Sequence, residues 1–411
     1  MKNHTKLFIF IIILVVLTVA FNDSYTTVNI DNIATVVALG IDSDGDNNLK
    51  VSFQFTKPSS VSESGNSEPS SSIIKTVSAS SISSAVNLMN NYTGKELSLS
   101  HCKLIVFSEE LAKKGITDEI YTLMNDMQVR PSSNIVISKC KAEYYIDNTK
   151  PLLEPLLAKY YEKFANSSQY TGYTCNATIG DFFDKMICHA CNPYAILGGV
   201  NFELPQNDNN NSNDITSTVE ATSKSNYSTL SGSTTSENKG LAVFRDGVMV
   251  GELYAIETLA FMCISDDIKG FLISIPDPSV ESGYLDVYLK PEKKTKIDVS
   301  LTNGSPYVKV NCKFSGQIYS INKDVNYLDD KVLASVSSAC DSYLKYVFTE
   351  YLYKTSKDFH SDINGIGTHA LKLFLTSGEF EDYNWKNAYK DSFFDVSVST
   401  SVKSSALLSE S

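Results

Sequence analysis

The spacing of apolar and polar residues changes along the chain, and each change marks an element. From residue 31 to residue 57 apolar and polar residues alternate on both sides of Asp42-Ser43-Asp44-Gly45-Asp46-Asn47-Asn48, which predicts two strands and a solvated turn. Residues 58–72 are rich in Ser, Glu, Gly and Asn and predict a loop before a helix around residues 82–89. Residues 104–107 form a short apolar run, a buried strand, after which Ser108, Glu109 and Glu110 cap a helix that Gly115 ends. Thr117, Asp118 and Glu119 open the next helix, where Ile120, Leu123, Met124 and Met127 recur at helical spacing as a core stripe. Arg130-Pro131 then leads into a strand at 135–138, which makes this part an α+β domain.

Residues 239–276 predict strand, turn, strand, helix, strand. Leu241, Val243 and Phe244 precede the Asp246-Gly247 turn, Val248 to Val250 return, and Leu259, Phe261, Met262 and Cys263 give the helix its apolar face. Residues 285–289, 297–301 and 308–312 then alternate with period two and predict an antiparallel sheet with one wet face. From Leu328 the period becomes three to four: Val332, Val336, Cys340, Tyr343, Val347 and Tyr351 define an amphipathic helix of about 45 Å if it runs to Lys357. Asn364-Gly365-Ile366-Gly367 interrupts the helical pattern, residues 370–375 resume it, and Phe394, Val396 and Val398 predict a last strand. The fold class is α+β and multidomain, with mixed or antiparallel sheets covered by helices. Residues 1–22 form a membrane anchor or signal segment, 23–206 an N-terminal domain, 207–239 a polar linker or insertion, and 240–411 a C-terminal domain.

Composition narrows the function classes. The 411 residues are 42% hydrophobic and 11% aromatic, enough for real cores in roughly two to three domains. A formal net charge of -12 disfavours nucleic acid and anionic headgroups as partners of a broad surface, since both are polyanions. Lys2 and Lys6 precede an uncharged apolar run over residues 7–21, the layout of an export signal or a short uncleaved anchor that leaves the rest of the chain outside the cytoplasm.

Candidate chemistry is sparse. Cys188-His189-Ala190-Cys191 falls at the C-terminal end of a helix that Thr178 and Asp181 open as a capping box, the opposite polarity from a helix N-terminus that lowers a thiol pKa. Cys175 and His189 leave a zinc set without a second closely spaced pair, so unlinked thiols are the leading expectation and a local disulfide the second. Cys102, Cys140, Cys263 and Cys312 lie in apolar runs as small core residues. The spacing of His360 and His369 fits no common metal motif, and the acidic turn after Asp42 lacks the glutamate that ends a calcium loop. No catalytic, cofactor-binding or metal residue is assigned, and no nucleophile elbow, zinc-protease motif or phosphate loop is present.

Several segments together resemble one family. Gly240, Ala242, Val243 and Phe244, the turn, Val250-Gly251-Glu252-Leu253, Glu257-Thr258, the apolar helix and Ile268-Lys269-Gly270 look like the start of the C-terminal domain of the C subunit of GerA-type spore germinant receptors, the Ger(x)C family. Asp31 to Ala34 with Leu39-Gly40-Ile41-Asp42, His101 to Val106 with Glu110 to Gly115, and Asp362, Gly365, Gly367 and Trp385 fit the same order. The resemblance implies a non-enzymatic, extracytoplasmic, membrane-held subunit in a spore-forming bacterium. It would act with integral-membrane A- and B-type receptor subunits to start germination. Most members resemble lipoproteins with a cysteine just after the apolar run, whereas the first cysteine here is Cys102. The other surviving class is a secreted or surface-exposed enzyme or carbohydrate-binding module.

Overall fold

The structure is a computed structural model that describes residues 4–8, 10–13, 32–45, 48–56, 72–151, 153–154, 156–200, 236–280, 283–320 and 325–403. The expected anchor, residues 7–21, lies mostly outside them. Residues 4–8 and 10–13 are helical, and among the described residues no helix is long and apolar enough to cross a membrane.

The first sheet has nine strands: β1 (Ile33–Ser43), β2 (Leu49–Thr56), β3 (Ser72–Ala79), β4 (Glu96–Ser98), β5 (Leu104–Ser108), β6 (Asn134–Ser138), β7 (Tyr194–Val200), β8 (Ser236–Arg245) and β9 (Val248–Leu253). Their order is β3-β2-β1-β5-β6-β7-β8-β9, with β4 beside β1. Strands β1, β5, β6 and β7 run parallel, while β2 and β3 at one end and β8 and β9 at the other are antiparallel. Every residue of β5 and β6 is buried, so both faces of the centre are covered, which is why these strands read as continuous apolar runs.

The covering helices are α1 (Ile82–Thr93), α2 (Glu109–Lys114), α3 (Thr117–Asn125), α4 (Ala142–Asp147), α5 (Leu157–Lys163) and α6 (Ile179–Ile187). Ser81 caps α1 through its side chain, Gly94 ends it in the left-handed conformation, and Ile82, Ala85 and Met89 are its buried stripe. Ser108 precedes α2 without a capping bond and instead hydrogen-bonds Asp42, so the expected cap is not made. Met127, expected in the stripe of α3, is fully exposed because that helix ends at Asn125.

The second sheet contains β10 (Phe271–Pro276), β11 (Tyr284–Thr302), β12 (Ser305–Ile318) and β13 (Phe393–Lys403), in that order. The first three are antiparallel, but β13 returns parallel to β12, so the sheet is mixed. The two strands expected at 285–289 and 297–301 are one. Pro291 and the lysines after it look like a turn, yet the register with β12 only slips between Pro291 and Lys296 and then resumes, a bulge in a continuous strand. Along β12 every second residue from Pro306 to Ile318 is buried, leaving Lys309, Lys313 and Gln317 on the wet face.

Two further helices build the core between the sheets. In α7 (Ala255–Ile264) every residue from Thr258 to Ile264 is buried, because this helix packs against β8 on one side and β11 and β12 on the other. Glu257 folds back to accept from the Tyr254 N–H at 2.9 Å and closes its first turn. Helix α8 (Asp330–Tyr353) buries Val336, Cys340, Tyr343, Val347 and Tyr351 with Leu344, Phe348 and Leu352 against the second sheet. Its 24 residues span about 36 Å, less than expected, since a π-helical turn over Lys354–Asp358 ends the regular helix. Leu328 lies before its N-cap, Asp329, and is exposed.

The β8–β9 hairpin is held by both halves of the chain. Expected at the head of the C-terminal domain, it instead extends the first sheet: Leu241, Ala242 and Val243 pair with Ile196, Ala195 and Tyr194 of β7. Residues 236–239, expected as the end of a polar linker, are the first residues of β8 and already pair with β7, and 201–235 fall outside the described residues. The hairpin is also gripped from the C-terminal half. Ser361 Oγ donates to the Phe244 carbonyl at 2.6 Å, Lys386 pairs with Asp246 at 2.6 Å, and Arg245 donates to Asn387 at 2.5 Å.

Candidate functional site

In sheets of this kind the crevice outside the carboxyl ends of parallel strands is where a ligand most often enters. Here that crevice is a cleft of about 410 Å³ bounded by the ends of β1, β5 and β6, from Asp42 and Ser43, Ser108 to Glu110, and Lys139 to Lys141. Most of its charges are paired, Lys141 and Asp42 being the exceptions. Lys139 lies between Glu109 at 3.1 Å and Glu252 at 2.6 Å, Lys113 also pairs with Glu109, and Lys114 pairs with Glu110 at 2.8 Å while donating to Ser43 at 2.9 Å. Tyr254 adds a hydrogen bond to Glu252 at 2.7 Å. Burial raises the Glu109 carboxyl, but the bonds from Lys113 and Lys139 outweigh it and hold the group below its usual range.

Asp42 is the residue of this cleft that sequence reasoning misplaced. Expected at the start of a solvated turn, it is only 3% exposed and accepts from the backbone of Ala142 at 2.8 Å and Glu143 at 3.3 Å, which anchors the start of α4 to the end of β1. Burial nevertheless raises its carboxyl. The alternating pattern of β1 could not show this, since the partners lie a hundred residues on. No histidine lines the cleft, and its serines and its cysteine are joined to neighbours within it or beside it. What the arrangement does is tie three strand ends together.

The cysteine pair is not free. Cys188 and Cys191 form a disulfide, with Cα atoms 5.6 Å apart, which corrects the expectation of unlinked thiols: Cys188 ends α6 in an extended conformation, and the chain turns back over His189 and Ala190. Of the capping box expected at the start of α6 the Thr178 half is made, with Asp181 N donating to Thr178 Oγ1 at 3.1 Å, while the Asp181 carboxylate accepts from the Thr178 hydroxyl at 2.7 Å and not from its backbone N–H. The other cysteines are free, and burial pushes the thiols of Cys102, Cys175 and Cys340 up to about 12 and that of Cys312 to about 11, which removes them as nucleophiles at neutral pH. Among the described residues no three His, Cys, Asp or Glu side chains gather as a metal set, His360 and His369 included.

Asp362, Gly367 and Trp385 come together in the interior. The Asp362 carboxylate accepts from Ile366 N at 2.9 Å, Gly367 N at 2.7 Å and Trp385 Nε1 at 2.9 Å, while its own carbonyl accepts from Asn192 N at 2.8 Å. A side chain at Gly367 would collide with the Ala190 carbonyl and the Trp385 ring, which explains the glycine. The segment therefore clasps the C-terminal half to the loop that follows α6. Burial lifts the Asp362 carboxyl to about 6 although its three donors pull it down. His101-Cys102-Lys103 has a similar tying role, since Lys103 N donates to Val37 O and its carbonyl accepts from Asn134 N, both at 2.9 Å.

These are the positions that carried the family pattern, and comparison with known proteins follows the same two halves. A family model described as the spore germination protein N-terminal domain matches residues 26–196, and one described as spore germination B3/GerAC like, C-terminal, matches residues 239–406. The chain belongs to the Ger(x)C family of spore germination proteins. Spore germination protein KC of Bacillus subtilis (strain 168) is 22% identical to it over 395 residues, which cover 92% of this chain and 90% of that protein. The crystal structure of the GerBC protein overlaps 89% of this chain and 96% of its own at 16% identity, with a TM-score of 0.48. The division between the two Ger(x)C models falls between β7 and β8, two strands that are hydrogen-bonded to each other.

Proposed function

We propose that this Ger(x)C protein is the extracytoplasmic, membrane-associated C subunit of a nutrient germinant receptor, and that it acts by binding integral-membrane A- and B-type subunits. The observation that carries this is the family match over both halves of the chain. The cleft adds support, because Glu109, Glu110, Lys113, Lys114 and Lys139 are paired with one another and its serines and cysteine have no histidine beside them. Residues 7–21 are the proposed membrane attachment, 23–206 and 240–411 the proposed domains, and the assignment as a non-enzyme rests on the family.

The test is genetic. Deleting the gene should abolish nutrient-triggered germination while germination forced by a route that bypasses the receptor continues, and membrane extraction at high pH should leave the protein in the pellet. Normal germination of the deletion strain on every nutrient, or turnover of a peptidoglycan or sugar substrate by purified protein, would favour the secreted enzyme or binding module instead.

A further inference from the structure

The disulfide takes no part in the proposed subunit role, yet it sits where the two halves of the molecule meet. It closes the loop whose Ala190 carbonyl packs on Gly367, and the next residue, Asn192, bonds the Asp362 carbonyl from a fully buried position. Gly365 lies against Cys191. Asp362 in turn holds the indole of Trp385, the only tryptophan of the chain. The four-residue loop that the disulfide closes and the Trp385 ring thus meet at Gly367.

We propose that Cys188–Cys191 is a thiol–disulfide exchange site that works as a redox latch: reduction by a dithiol releases the 188–192 loop and loosens the clasp around Trp385. Access is from the Cys188 side, since Cys188 is half-buried and the His189 side chain is 71% exposed, whereas Cys191 is buried. A reductant thiolate attacks Cys188 Sγ, a mixed disulfide forms, and Cys191 Sγ leaves as a thiolate that takes up a proton. The second thiol of the reductant then displaces Cys188 Sγ, giving two cysteine thiols and the oxidised reductant, a two-electron exchange. Because Cys188 lies at the C-terminal end of α6, the helix dipole does not stabilise the thiolate formed. That makes the pair a poor oxidant of other proteins and favours the closed form until a strong dithiol arrives, as a latch requires and an oxidoreductase does not.

Trp385 reports the state of the latch directly. Dithiothreitol added to the full-length native protein should expose thiols at Cys188 and Cys191, mapped by alkylation and mass spectrometry. It should also move the tryptophan emission to longer wavelength and raise its quenching by acrylamide at least twofold. The Cys188→Ser/Cys191→Ser variant should show the shifted emission without reductant and no response to it, while its circular dichroism stays native. Three outcomes overturn the latch: alkylation of both thiols with unchanged Trp385 emission, no thiol release from the folded protein at any dithiothreitol concentration short of unfolding, or a serine variant whose emission matches the oxidised protein.

Discussion

The two sheets solve the burial problem in different ways. At the centre of the first, adjacent residues such as Ile105 and Val106 of β5 point to opposite faces and are both fully buried. In the second, Phe314 of β12 is buried under α8 and its neighbour Lys313 is in water. The first sheet therefore covers both faces of its central strands, whereas the second leaves Lys309, Lys313 and Gln317 of β12 in water on one face.

The strongest way to break this contrast is to release what joins the sheets. Asp362→Ala leaves three buried donors without an acceptor and should cost about 4 kcal/mol, splitting the urea unfolding curve into separate transitions for the two halves. A single transition with less than about 1 kcal/mol lost would show that the clasp does not couple them.

Paired substitutions sharpen the contrast itself. Both Ile105→Ala and Val106→Ala should destabilise, by about 3 and about 2 kcal/mol, because each empties a filled site on its own face. In β12, Phe314→Ala should cost about 4 kcal/mol and Lys313→Ala less than about 0.5, read by the same chemical denaturation. Equal losses within the second pair would mean that something covers the polar face.

A smaller effect depends on pH. With its carboxyl raised to about 6 from an ordinary 3.8, native Asp362 holds a proton that the unfolded chain has already released between those values. The unfolded state binds fewer protons there, so stability from this group falls as pH rises through the window and the loss is complete above it. The stability gap between wild type and Asp362→Asn should therefore be larger at pH 5 than at pH 7, by about 1 kcal/mol. A gap independent of pH would show that Asp362 is ionised throughout.

Legibility in the sequence followed the same divide. Alternation in β12 and the three-to-four spacing of α8 announce one buried face each, and the apolar run of β5 announces a strand covered twice. The bulge at Pro291 was hidden, because residues 290–296 carry no period-two apolar pattern, so that only a partner strand continuing beside them shows the two runs to be one strand. The membership of β8 was hidden too, since its apolar residues suit either sheet and only the edge of β7, across a long polar insertion, decides. Residues whose work is done by distant partners left the least trace. Asp42 reads as loop and is an anchor, Cys188 and Cys191 read as thiols and are bonded, and Asp362 was marked only by family pattern.

The seat of the β8–β9 hairpin also sets an order for biosynthesis. While the ribosome has delivered only the first two hundred residues, β7 is an open edge, and it stays so until the chain has grown past Leu253. The residues that grip the hairpin, from Ser361 to Asn387, arrive later still. The nascent first half is thus a sheet that awaits its last strands while residues 201–253 are added, when its β7 edge is most open to chaperones and to mispairing with another copy.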